Sequence, residues 1–121
     1  MRDHELEVWL ENWQATPVVC AAGTIRLGTV SSLYDLTAQA ALAAPSRIVF
    51  DFSRVATIDS SGLGVVVAAR KKLGGHSGCV GVLALSEQVL GAFELAGLNH
   101  CLMSRLDADP RAFEDTRFVA G

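Results

Sequence analysis

The run Asp59-Ser60-Ser61-Gly62-Leu63-Gly64 sets a carboxylate beside two hydroxyls, directly after the stretch Arg47 to Ile58. Those residue types admit two kinds of chemistry. Ser and Asp are favoured where a helix begins, because their oxygens accept from backbone N–H groups that have no partner inside the helix. Gly62 would then merely relax the turn. The same place carries partial positive charge and accommodates an anion, so a serine there is well sited to carry a phosphate. Local sequence alone leaves both readings open.

Other constellations are incomplete. Ser60 and Ser61 are not framed as Gly-x-Ser-x-Gly, and no histidine has a supporting context for a hydrolase triad. Gly62-Leu63-Gly64 lacks the third glycine of a dinucleotide fingerprint, and no Gly-x-x-x-x-Gly-Lys phosphate loop occurs. Asp51 and Asp59 bracket a strand end and its loop without bringing a nucleophile to themselves. No pair among His4, His76 and His100 has i, i+4 spacing, and Cys79 and Cys101, which follow His76 and His100, complete no ligand pattern with them, so no metal site is expected. Cys20, Cys79 and Cys101 are odd in number, widely spaced and set in apolar runs, which predicts buried free thiols. No enzyme activity and no cofactor are expected.

The elements around the serines follow from periodicity. Ile48, Val49, Phe50 and Phe52 are β-branched or aromatic, which predicts a strand over Arg47–Phe52. Small and apolar residues from Gly62 to Ala69 predict a helix over about Ser60–Leu73, with Arg70-Lys71-Lys72 at the end where cations suit its dipole. Upstream, Leu6, Val8 and Leu10 alternate with Glu5, Glu7 and Glu11, as in a strand with one wet face. Trp9 and Trp13 on the other parity would cover an edge or lie exposed. Pro17 should end that strand, Val18–Ala22 form a second that stops at Gly23, and 26–29 form a loop.

Leu33, Leu36, Ala40 and Ala43 predict a helix from Val30 to Ala44, ended by Pro45. Downstream, Gly74 to Gly78 reads as a turn and Cys79–Leu85 as a strand. Ser86 would cap a helix carrying Val89, Leu90 and Phe93, closed by Gly97. Leu98–Leu106 should include a short last strand, and Asp109-Pro110 should open a C-terminal helix with Phe113. Alternating strands and helices after a hairpin predict a mixed, mainly parallel sheet with helices packed against it.

Composition sets the outer limits. A chain of 121 residues supports one domain and one core. Half of its residues are hydrophobic, yet no segment approaches the ~20 apolar residues that span a bilayer. The charged start, Met1 to Glu7, lacks the basic and apolar regions of a signal peptide, so a cytoplasmic location is expected. Net charge is −3 with both signs interspersed, which argues against a nucleic-acid-binding face.

The stretch Asp51-Phe52-Ser53-Arg54-Val55-Ala56-Thr57-Ile58-Asp59-Ser60-Ser61-Gly62-Leu63-Gly64 resembles the STAS domains, and among them the bacterial anti-sigma factor antagonists. Their pattern is a strand ending in Asp-x-Ser-x-Val-x-x-Ile-Asp-Ser-Ser-Gly-Leu-Gly. A second patch, Val82 to Ser86 with Glu87 to Leu98, is similar to the family's strand, helix and Gly-Leu ending. The resemblance covers roughly Val18 to Met103. It implies a single STAS domain over residues 1–121, with about four or five strands and about four helices.

The antagonists' phosphorylated serine matches Ser60, and the resemblance extends the partner face over Asp59, Ser61, Gly62, Leu63 and Gly64. Asp59 would help orient the neighbouring serine or touch a kinase. Gly64 would admit a close partner or pack on the sheet. The implied mechanism is a partner switch. Unphosphorylated, the chain binds an anti-sigma factor that is itself a serine kinase, freeing a sigma factor. Phosphorylation of Ser60 ends the complex, and a metal-dependent serine phosphatase resets it.

The antagonists often carry an acid shortly after the second strand. Here Gly23-Thr24-Ile25-Arg26 places a base, either as a solvated loop residue or as a mark of a different partner. STAS domains also serve as non-switching modules in stress-signalling scaffolds and as accessory subunits of lipid transport. Self-association into a homodimer is left open.

Overall fold

The chain begins its fold with a hairpin, and the computed structural model describes residues 5–103. Strand β1, Leu6–Trp13, pairs antiparallel with β2, Thr16–Ile25, in a register that sets Trp13 opposite Thr16. Only Gln14 and Ala15 remain for the turn, and both have positive φ (52° and 71°). That geometry matches the twist of a two-residue hairpin, although neither residue is the Gly or Asn usually found there.

β2 is longer than the sequence suggests at both ends. Pro17 lies inside it, opposite Asn12, because pairing with the next strand starts only at Val18, so its missing N–H interrupts no ladder. Gly23 does not stop the strand either. At φ 119°, a Cβ there would stand 2.0 Å from the Glu5 carbonyl oxygen, so glycine lets the two chains cross.

Helix α1, Val30–Ala41, leads to β3, Ile48–Ile58, which pairs parallel with β2. α1 ends short of the expected Ala44, which adopts a positive φ of 50° ahead of Pro45. Helix α2, Ser60–Lys72, returns the chain to β4, Val80–Ala84, which pairs parallel with Ile48–Phe52. Helix α3, Glu87–Leu95, starts at Ser86, whose hydroxyl accepts from the Val89 N–H, and Gly97 follows at φ 74°. The result is a mixed four-stranded sheet in the order β1-β2-β3-β4, with three α-helices among the described residues.

The expected last strand is reduced. A 3-10 turn, Asn99–Cys101, precedes a single parallel bridge between Val82 and Leu102. The helix expected from Asp109-Pro110 lies outside the described residues.

The helices share one face of the sheet. Leu33 and Ala40 of α1, Val65, Val66 and Ala69 of α2, and Val89 and Phe93 of α3 join Val19, Ala21, Phe50, Phe52 and Val82 in one buried cluster. β1 runs out from beneath the helices: Leu6 is buried, Val8 half-buried, and Leu10 is 41% exposed. On the opposite face, Trp9, Trp13 and Met103 cover Val18, Cys20 and Val49. The Glu11 carboxylate accepts from both indole N–H groups, at 2.9 and 3.0 Å. The tryptophans therefore roof the second face.

Candidate functional site

At the carboxyl ends of β2 and β3 the chain meets itself around Asp59. Asp59 is the N-cap of α2, with an extended backbone (φ −110°, ψ −174°). One carboxylate oxygen accepts from the Ser61 N–H at 2.9 Å, the Gly62 N–H at 3.4 Å and the Ser61 hydroxyl. The other accepts from the Leu27 N–H at 3.0 Å. The Asp59 N–H in turn donates to the Ile25 carbonyl at 3.0 Å. One side chain thus caps α2 and ties the β2–α1 loop to it.

The Ser61 hydroxyl, joined by the N–H groups of Leu27, Ser61 and Gly62, holds the Asp59 carboxyl below its ordinary range against an opposing effect of burial. A lowered carboxyl keeps its cap at neutral pH and loses it only as pH falls through that lowered value.

Ser60 occupies the first position of α2 and is exposed. Among the described residues its hydroxyl makes no hydrogen bond. Asp59 therefore orients Ser61 in this structure, and no hydrogen bond joins it to the Ser60 hydroxyl. Ser61 is a half-buried cap residue. Leu63 is half-buried and packs against the core.

The two glycines divide the alternatives between them. A Cβ on Gly62 would stand 2.5 Å from Ile25 Cγ2 and 2.6 Å from Ile58 Cγ1, so the helix start sits directly on the strand ends. Gly64 is exposed with nothing within 4 Å of such a Cβ. Gly62, not Gly64, packs on the sheet.

Arg26 joins the same end of the molecule. Its guanidinium donates to both carboxylate oxygens of Glu5, each at 2.7 Å. This lowers the Glu5 carboxyl from its usual value. The loop beneath it is held by Thr29, which is buried: the Thr29 hydroxyl donates to the Thr24 carbonyl at 2.8 Å and accepts from the Arg26 N–H at 3.0 Å. Beside it, Leu27 is 78% exposed, a large apolar side chain next to the serines that sequence patterning does not flag.

A further support was not legible in the sequence. β3 overhangs β4 beyond Phe52, so its outer edge there lacks a strand partner. Two side chains of the α3 start take that place. The Ser86 hydroxyl donates to the Ala56 carbonyl at 2.7 Å. The Gln88 amide accepts from the Ile58 N–H at 2.7 Å and donates to the Ile58 carbonyl at 3.0 Å. Gln88 thus acts as one residue of a missing strand, immediately before Asp59.

Elsewhere, Cys20, Cys79 and Cys101 are free and buried. Burial, with the Glu11 and Asp51 carboxylates, pushes the Cys20 thiol up to about 12, so it is no nucleophile at neutral pH. Arg70, Lys71 and Lys72 form the last turn of α2. Among the described residues no three His, Cys, Asp or Glu side chains gather as metal ligands, and no helix is long and apolar enough to cross a membrane. A cavity of about 210 Å³ lies between α1 and α2, lined by Tyr34, Ala41, Val65, Ala69 and Lys72 among others, and by none of residues 59–64.

No curated protein matches the chain. Solved structures do. An anti-sigma factor antagonist from Mycobacterium paratuberculosis is 27% identical over 93% of this chain and 95% of its own, with a TM-score of 0.78. The anti-sigma factor antagonist SpoIIAA in its unphosphorylated form is 24% identical over 93% of this chain and 97% of its own, with a TM-score of 0.74. SpoIIAA from Bacillus in its phosphorylated form is 24% identical over 84% and 96%, with a TM-score of 0.65. The family model described as "Mlab, STAS domain" matches residues 10–105, a span that holds the whole sheet from Leu10 onward, all three helices and the Asp59 cap. The chain belongs to the STAS domain family.

Proposed function

We propose that this chain is an anti-sigma factor antagonist acting in the cytoplasm as a phosphorylation-controlled partner switch, with Ser60 as the modified residue. The observation that carries the reading is the Ser60 hydroxyl: exposed, without a hydrogen bond among the described residues, and seated at the first position of a helix that Asp59 already caps. A hydroxyl needed for the fold would be engaged, as that of Ser61 is. The likeness to an anti-sigma factor antagonist over nearly the whole chain supports the same reading.

In the transfer step, the Ser60 oxygen bonds to the γ-phosphorus of ATP as the bond to the departing ADP breaks, and the hydroxyl proton leaves. The Asp59 carboxylate already serves four donor contacts, so the group that takes the proton belongs to the kinase. Hydrolysis by a metal-dependent phosphatase returns the hydroxyl and inorganic phosphate.

The switch is electrostatic. A phosphate brings a charge of about −1.5 to −2 and three acceptor oxygens. Beside Asp59, in a closed interface, it adds repulsion and a desolvation cost, and ~3 kcal/mol suffices to weaken a complex about a hundredfold. The docking face is the end of the molecule bearing Arg26, Leu27, Ser60 and Gly64.

The cavity between α1 and α2 favours a second reading, a non-switching module that docks through those helices. A pull-down from source-cell lysate with Ser60→Ala and Ser60→Asp baits separates the two. A kinase-type anti-sigma factor enriched on the Ala bait and absent from the Asp bait is the expected result. The same partners on both baits would overturn the switch.

A further inference from the structure

We propose that Arg26 is the internal receptor for a phosphate on Ser60: modification draws the guanidinium off Glu5 and onto the new dianion. The inference rests on Ser60 being the modified residue, and it gives a role to the base that stands where the antagonists often carry an acid.

Three observations place the parts. First, the backbone at Arg26 is fixed close to the helix start. Ile25 pairs with Ile58 in the parallel register, the Asp59 N–H bonds the Ile25 carbonyl at 3.0 Å, and the Leu27 N–H bonds the Asp59 carboxylate at 3.0 Å. Arg26 therefore stands one strand over from Asp59 and Ser60. Neighbouring strands are about 4.8 Å apart, within the length of an arginine side chain.

Second, the pair that the side chain makes with Glu5 is open to solvent. Its pair with Glu5 is bidentate, but the two side chains are 46% and 50% exposed. Ion pairs in that setting contribute little and are readily exchanged. The guanidinium also lies over Gly28, where a Cβ would come within 2.1 Å of its Nη1, so a bare backbone there leaves it room.

Third, the competition favours the phosphate. A phosphoserine offers nearly twice the charge of Glu5 and a planar pair of oxygens that the guanidinium fork matches. Among the described residues at this end of the molecule, Asp59 would repel a phosphate and Arg26, paired with Glu5, is a cation placed to compensate it. Phosphorylation would then alter two features of the docking face together, adding a dianion at Ser60 and withdrawing the cation at Arg26.

The test uses the full chain with phosphoserine installed at position 60 by genetic-code expansion, so no kinase is needed. The second ionisation of the phosphate is followed by ³¹P NMR in wild type, Arg26→Gln and Glu5→Gln. The Glu5 carboxyl is followed by ¹³C NMR with and without the phosphate. The helix terminus and Asp59 act equally in all three chains and cancel in the comparison.

Glu5→Gln removes a competitor and should give the lowest phosphate pKa, wild type an intermediate one, and Arg26→Gln the highest, above wild type by about 0.3 unit or more. In wild type, phosphorylation should raise the Glu5 carboxyl toward its ordinary value, because Arg26 has left it. One phosphate pKa shared by all three chains, or a Glu5 titration indifferent to phosphorylation, overturns the proposal. Either result leaves the reading of Ser60 intact, whereas a failed pull-down overturns that reading without moving the titrations.

Discussion

At the scale of single residues, the site turns on what each side chain already touches. Gly62 and Gly64 look equivalent in sequence and differ completely in space. Alanine at Gly62 would drive a methyl into Ile25 and Ile58. Overpacking of that kind costs about 1–3 kcal/mol. Alanine at Gly64 meets nothing and replaces the residue with most backbone freedom inside a helix, a gain of about 0.5–1 kcal/mol. Urea unfolding should rank the chains Gly64→Ala above wild type above Gly62→Ala. A Gly62→Ala midpoint at or above wild type would mean that the helix start does not rest on the strand ends as described. The sequence offered no way to separate these two glycines, because their difference lies in contacts made by β2 and β3. The same holds for Asp59: its type predicts a cap, but only the fold shows that Ser61 and Leu27 fill its carboxylate while Ser60 stays outside.

At the scale of elements, strand and helix cores were legible and their ends were not. Ile48 to Phe52 announces a strand through β-branching and aromatic content. Ser53 to Thr57 does not, yet the strand continues, because β2 pairs with it on one side and Ser86 and Gln88 bond it on the other. Tertiary hydrogen bonding there overrides weak propensity. Gln88 is the test of that account. Gln88→Ala leaves both polar groups of the Ile58 backbone without their protein partner, at a cost of about 1 kcal/mol or more, and should speed hydrogen exchange of the Ile58 amide. Gln88→Glu retains an acceptor for that N–H and should keep the amide protected. If Ile58 exchanges equally slowly in the Ala variant, water or another group replaces Gln88, and the clamp plays no part in holding the strand end below Ser60.

At the scale of the whole molecule, the site is built to change charge without changing shape. The hairpin, the parallel crossovers and the single helical layer all bring the carboxyl ends of β2 and β3 together, and alternation of strand and helix made that plan readable from periodicity. Three independent ties converge there: Asp59 joins the loop to α2, Gly62 seats α2 on the sheet, and Gln88 joins α3 to β3. None of them involves the Ser60 hydroxyl. A phosphate at that hydroxyl therefore breaks none of these three ties, and the N-terminus of α2 favours its charge. Backbone ¹H–¹⁵N shifts of the phosphoserine-60 chain should differ from the unmodified chain only near residues 5, 24–29 and 58–64. β4, the buried face of α3 and the tryptophan-covered side of the sheet should be silent, and the unfolding midpoint should move little. Shift changes reaching Phe93 or Val82 would show that the modification repacks the core. The switch would then work by conformational change, and a phosphate acting only on the docking face would no longer account for loss of the partner.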